Sequence, residues 1–135
     1  MKRITTIMMF IILLAGCAQN KGSFMDFAAI KNAERTMIKM NSAMEQYYVE
    51  EGSYPAQNVS FEDELKPYFI SFNRDNEPVD KWPEMVEEVF KDGELVYETR
   101  DPKTTYFIYG RAKDSENTIV FCRPALPHTE EETKE

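Results

Sequence analysis

Histidine is almost absent from this 135-residue chain, and the single one, His128, sits near the C-terminus. That leaves no Ser-His or Cys-His pair on a folded scaffold, the arrangement that nucleophilic catalysis needs. Only two cysteines occur, Cys17 and Cys122, with no Cys-x-x-Cys spacing for zinc. Five glycines are scattered singly, so no glycine-rich phosphate loop exists. Basic residues are outnumbered, 16 against 24 acidic, for a net charge of −8. An acidic surface is repelled by phosphate backbones, so nucleic acid is not an expected partner. Nor is there an apolar run of twenty residues that would span a bilayer as a helix. Glu87 and Glu88 are adjacent, but neighbouring helical residues diverge by about 100° and do not converge on one substrate. No enzyme is expected.

What is present begins at the N-terminus. Lys2 and Arg3 precede an apolar run from Ile4 to Leu14 broken only by Thr5 and Thr6, and the run ends in Leu14-Ala15-Gly16-Cys17. A dozen helical residues reach about 18 Å, well short of a ~30 Å hydrocarbon core. The length suits a secretory leader and not a spanning helix. The ending resembles the lipobox of bacterial lipoproteins. The resemblance implies cleavage between Gly16 and Cys17, a diacylglycerol on the Cys17 thiol and a further acyl chain, such as palmitate, on the new amino terminus. Residues 1–16 are then a signal peptide, and 17–23 a lipidated start and spacer. Without Lys2 and Arg3 the balance is 14 basic to 24 acidic residues, net −10. With Cys17 acylated, Cys122 has no partner in the chain. It reads as a small buried residue in a strand, with a reactive thiol or intermolecular disulfide as the alternative.

The mature chain is read as one globular unit over 24–127, followed by a disordered acidic tail over 128–135. Ser23-Phe24-Met25-Asp26 has the form of a capping box, and a helix is expected from about 24 to 51. Ile30, Ala33, Met37, Met40, Met44 and Tyr47 recur at spacings of three and four, a single face that must be buried. Gly52 suits the helix exit and Pro55 blocks continuation. Ser60-Phe61-Glu62-Asp63 starts a short helix ended by Pro67. Tyr68, Phe69, Ile70 and Phe72 form an aromatic cluster read as core. Residues 73–81 read as a polar loop, and Pro83 opens a second short helix through Phe90, closed by Gly93. Residues 94–100, 104–112 and 118–123 are β-branched and aromatic, separated by turn-like segments, and form an antiparallel meander. The fold class is α+β: a long N-terminal helix packed on a C-terminal sheet of three or more antiparallel strands.

Over residues 43–55, the sequence Ala43-Met44-Glu45-Gln46-Tyr47-Tyr48-Val49-Glu50-Glu51-Gly52-Ser53-Tyr54-Pro55 resembles the end of the first helix in type IV pilins and type II secretion pseudopilins. Asp80-Lys81-Trp82 is loosely similar to a family Asp-x-Trp-Gly segment, with Pro83 in place of the glycine. The resemblance implies a pilin-like head. It extends in architecture over 24–123, but the prepilin-peptidase site and the following apolar half-helix are missing. Asp75, Asn76, Glu77 and Asp80 offer oxygen atoms where pseudopilins often hold calcium, but their spacing is not that of an EF-hand and a solvated loop is expected. No metal or cofactor is expected. The anchor implies an extracytoplasmic position on a membrane, and Ala18 in place of Asp implies the outer membrane in enteric-type envelopes. The expected role is protein contact at the cell envelope, as an accessory to a secretion or pilus system. The alternative is an envelope lipoprotein, binding or inhibitory, unrelated to pili.

Overall fold

The computed structural model describes the backbone of residues 2–125 and the side chains of residues 24–125. The leader, Gly16, Cys17 and His128 therefore lie outside the described side chains. The helix α1 spans Lys2–Glu51. It passes through Ser23 without a break, so the expected capping-box start at that residue is corrected. After α1 come a short helix α2, Phe61–Leu65, and a 3-10 turn, Lys66–Phe69. A hairpin follows, of β1, Ile70–Phe72, and β2, Pro78–Asp80. A π-turn at Pro83–Glu87 leads into β3, Phe90–Glu98, β4, Phe107–Ala112, and β5, Ile119–Cys122. The last three strands pair in the order β3-β4-β5, each neighbour antiparallel. The expected α+β architecture is what the chain adopts.

The 3-4 stripe is the reason the helix and sheet come together. Ala33, Met40 and Met44 are fully buried, and Met37 nearly so. Ile30 and Tyr47 extend the same face and are partly covered. Each buried methionine contributes roughly 1.5–3 kcal/mol. The stripe packs on β5 and β4, whose inward residues Ile108, Ala112, Val120 and Cys122 are buried.

The helix exit is locked to the sheet by tyrosines. Gly52 takes φ +76, the left-handed conformation that ends a helix, and its N–H donates to the Tyr48 carbonyl at 2.8 Å. The chain then turns back, and the buried Tyr54 ring lies 4.7 Å from Tyr48 and 4.6 Å from Tyr106, centroid to centroid. Its hydroxyl donates to Glu45 Oε1 at 2.8 Å. Tyr106 donates to Asn41 Oδ1 on the helix. Tyr97 donates to the Pro55 carbonyl at 2.6 Å. Gln57 bridges to β3, giving its Nε2 to the Tyr97 carbonyl and accepting the Thr99 N–H. Every tyrosine here buries a large ring and satisfies its one polar atom.

The middle of the chain departs from the sequence reading. Residues 73–81 are not an open loop. Asn73 Oδ1 accepts the N–H groups of Asp75 and Glu77, both at 2.9 Å, and Asn76 adopts φ +61, which closes the β1–β2 hairpin. The aromatic cluster before it divides. Phe69 is buried against Trp82, whereas Ile70 and Phe72 are exposed. The second helix stops at Glu87, and Gly93 does not cap it. Asp92 and Gly93 both have positive φ and form an irregularity inside β3, between the paired residues Phe90 and Leu95. That bulge lets Phe90 and Leu95 fold over Gly110 on β4, where an added Cβ would lie 2.7 Å from each.

Two outcomes are expected. Gly110→Ala forces those side chains apart and lowers stability by about 1–3 kcal/mol in urea titration. Alkaline pH also weakens the fold. Burial pushes the Cys122 thiol from 9.0 to about 12, and burial with a carboxylate acceptor (Glu64 or Glu50) pushes Tyr47 and Tyr68 from 10.0 to about 12. The folded state holds these protons more tightly than the unfolded chain. The contribution of these three groups is therefore constant below about pH 9 and is lost between about 9 and 12. Chemical denaturation at stepped pH reads this directly.

Candidate functional site

β-Strands point successive side chains to opposite faces. The inner faces of β4 and β5 lie under α1. Their outer faces carry Phe107, Tyr109 and Arg111 on β4, and Ile119, Phe121 and Arg123 on or just after β5. The register sets Val96 of β3 opposite Tyr109, and Tyr109 opposite Phe121, so the three form a row across the sheet. Phe107 joins it, with its ring centroid 5.7 Å from Tyr109 and 5.3 Å from Phe121. Ile119, opposite Arg111, extends the apolar surface along β5.

Among the described residues nothing covers this face. Ile119 is 57% exposed, Phe121 54% and Val96 39%. Phe107 and Tyr109 are half-buried, largely by one another and by Phe121. Arg111 and Arg123 flank the aromatics, and Glu98 stands opposite Phe107. A shallow groove of about 290 Å³ opens beside Val96 and Tyr109 at the β3 bulge, lined also by Lys91, Asp92, Glu94 and Arg111. Aromatic side chains with arginine at the margin are the composition of protein-recognition surfaces, where rigid rings supply buried area at low entropic cost.

The other features fit a ligand less well. A groove of about 520 Å³ between α1 and the π-turn collects Arg35, Lys39 and Lys113, but also Glu84 and Glu88. Glu84 is held below its ordinary value by its hydrogen bond from Lys81, and Lys39 adds to the effect. Lys113 donates to the Glu87 carbonyl at 3.0 Å. The lining thus mixes three basic with two acidic side chains, and Glu84 and Lys113 are already engaged. Of Asp75, Asn76, Glu77 and Asp80, two are already engaged by neighbours. Asn73 Nδ2 donates to Glu77, and Asp80 Oδ1 accepts the Trp82 N–H at 2.8 Å. Among the described residues no group of three or more histidine, cysteine or acidic side chains is placed to hold a metal. Glu87 and Glu88 are exposed side chains at the π-turn.

Cys122 lies on the inner face of β5, buried. Burial raises its thiol, and a hydrogen bond with the Tyr106 hydroxyl offsets only part of the rise. At neutral pH it is a protonated thiol packed as a small apolar group, not a nucleophile.

No family model, no curated protein and no solved structure matches this chain.

The outer face was missed in the sequence reading, but it left a signal there. Tyr106-Phe107-Ile108-Tyr109 and Ile119-Val120-Phe121-Cys122 are continuous apolar runs, whereas a sheet with one wet face alternates. The run says that both faces want cover, while the helix supplies only one. Sidedness is testable. Ile108→Ala on the inner face costs about 2–5 kcal/mol in denaturant titration, whereas Phe121→Ser on the outer face changes stability by no more than about 1 kcal/mol.

Proposed function

We propose that this protein is a lipid-anchored envelope lipoprotein that binds a protein partner through the outer face of its β3-β4-β5 sheet. The reading is carried by Leu14-Ala15-Gly16-Cys17 at the end of a short basic and apolar leader. A thioether-linked diacylglycerol on Cys17 would hold the mature chain to a bilayer, because each buried methylene contributes about 0.8 kcal/mol and two chains give stable attachment. Confinement to a surface raises the effective concentration of any binder there, which suits a protein that acts by contact and not by turnover. The contact face is the row Val96–Tyr109–Phe121 with its arginine margins. Its partner presents an apolar patch with carboxylates at the rim, to meet Arg111 and Arg123.

The pilin-like part of the reading draws support from the helix exit. Gly52 in the left-handed conformation, Tyr54 folded back on Glu45 and a buried Pro55 realise the local geometry that the Gly-x-Tyr-Pro resemblance implies. A lipobox in place of the apolar half-helix argues against a filament subunit. The domain would be an accessory that meets secretion or pilus components at the membrane surface.

Metabolic labelling with an alkyne fatty acid, and photocrosslinking from position 121 in intact cells, test the two halves. Label is expected in the wild type and is lost in Cys17→Ser. One defined protein adduct is expected from position 121 and is absent when the crosslinker stands at exposed Glu88. Label that survives Cys17→Ser overturns the anchor. An adduct pattern identical at both positions overturns the contact face.

A further inference from the structure

We infer that Phe24, Met25 and Phe27, at the anchor-proximal end of α1, form a second membrane contact that inserts into the headgroup–acyl boundary of the bilayer. This rests on the lipid anchor proposed above. The three side chains are 70%, 68% and 59% exposed. Phe24 and Phe27, three residues apart, lie on neighbouring positions of one helix side. Their direction is set by Asp26 between them. Its Oδ1 accepts the Ser115 N–H at 3.0 Å and its Oδ2 the Ser115 hydroxyl at 2.5 Å. That pair pins the helix against the β4–β5 loop. Phe24, some 200° around the helix from Asp26, is thereby held away from the domain.

Reach and charge identify the occupant as lipid. Phe24 follows Cys17 by seven positions, about 10 Å along a helix at 1.5 Å per residue. An acylated Cys17 sits at the bilayer surface, and interfacial side chains settle roughly 5–10 Å into it. The aromatics are therefore within reach of the membrane when α1 leans toward the bilayer. Residues 17–31 contain Lys21 and Lys31 with only Asp26 as an acid, and the Asp26 carboxylate is engaged by Ser115. The remainder, 32–135, has 12 basic and 23 acidic residues. The anchor-proximal end thus lacks the acidic excess of the chain as a whole, which anionic headgroups would repel. In the facing loop Lys113 and Glu116 cancel, and Asp114 is turned inward to Thr118. Lys31 Nζ lies 5.6 Å from the Phe27 ring centroid and pairs with Glu34 at 2.6 Å, so the charge beside Phe27 is balanced. Such a contact would fix how the domain stands on the membrane.

The test uses the full acylated protein in vesicles of phosphatidylethanolamine and phosphatidylglycerol, with and without bromine on the acyl chains. Phe24→Trp and Phe27→Trp report the contact. Phe72→Trp, exposed on the β1–β2 hairpin, is the control, and the wild-type signal of buried Trp82 is subtracted. Emission from positions 24 and 27 is expected to shift to the blue and to be quenched about twofold or more by brominated lipid, with position 72 unaffected. Positions 24 and 27 that behave like position 72 overturn the contact. Shielding of these positions from acrylamide without bromine quenching means a protein covers them, and also overturns it. Mass spectrometry of the same preparation separates the two claims. Intact acyl chains without quenching remove only the membrane contact, whereas unacylated native protein removes the anchor as well.

Discussion

The burial of one helical stripe against one sheet face is the constraint on which the rest depends. Ala33, Met37, Met40 and Met44 share one buried cluster with Ile108, Val120 and Cys122 of the sheet, and Leu65, Phe69 and Trp82 from the intervening segment complete it. Polar links refine the fit. The Asn41–Tyr106 and Glu45–Tyr54 pairs hold the helix in register with the strands through groups that would be costly to bury unpaired. Helix and sheet thus make a two-layer structure with a single core. Its corollary is an uncovered sheet face, because one helix covers one side.

Legibility in the sequence followed the strength of each local signal. The methionine stripe was readable because 3-4 spacing over four turns marks a buried helical face, whether a sheet or a partner helix covers it, and the Gly52-x-Tyr54-Pro55 exit because each residue acts through its own backbone or ring. The Ser60 cap was equally local, its Oγ accepting the Asp63 N–H. The hairpin at residues 70–80 was not readable. Its two three-residue strands are held by the Asn73 side chain and not by an apolar pattern. Gly93 misled for a related reason. Positive φ serves a helix end and a strand bulge alike, and only pairing of Phe90 and Leu95 with β4 decides between them. The outer sheet face needed tertiary knowledge of which face the helix takes.

The proposed function rests on a different part of the sequence from the fold. The lipobox resemblance lies at the end of the expected leader, whereas the proposed contact face is assembled by register between residues 96, 109 and 121 of three strands. Phe24, Met25 and Phe27 precede the Ile30–Tyr47 stripe, and the sequence assigned them no face. They become informative once Asp26 is seen to bind Ser115 while the three side chains stay exposed among the described residues. Together these features suggest a division of labour along the molecule. In the proposed arrangement one end of α1 would meet lipid, its middle stripe builds the core, and the outer sheet surface would remain for a partner.

Native-state hydrogen exchange is the most direct measurement of that arrangement. If the stripe and the sheet are one cooperative unit, the amides of residues 33–44 and those of β4 exchange only through global opening. Their protection then falls in parallel with added denaturant. A helix whose amides exchange readily while the strands stay protected would show that the two layers do not depend on each other, and would contradict the account.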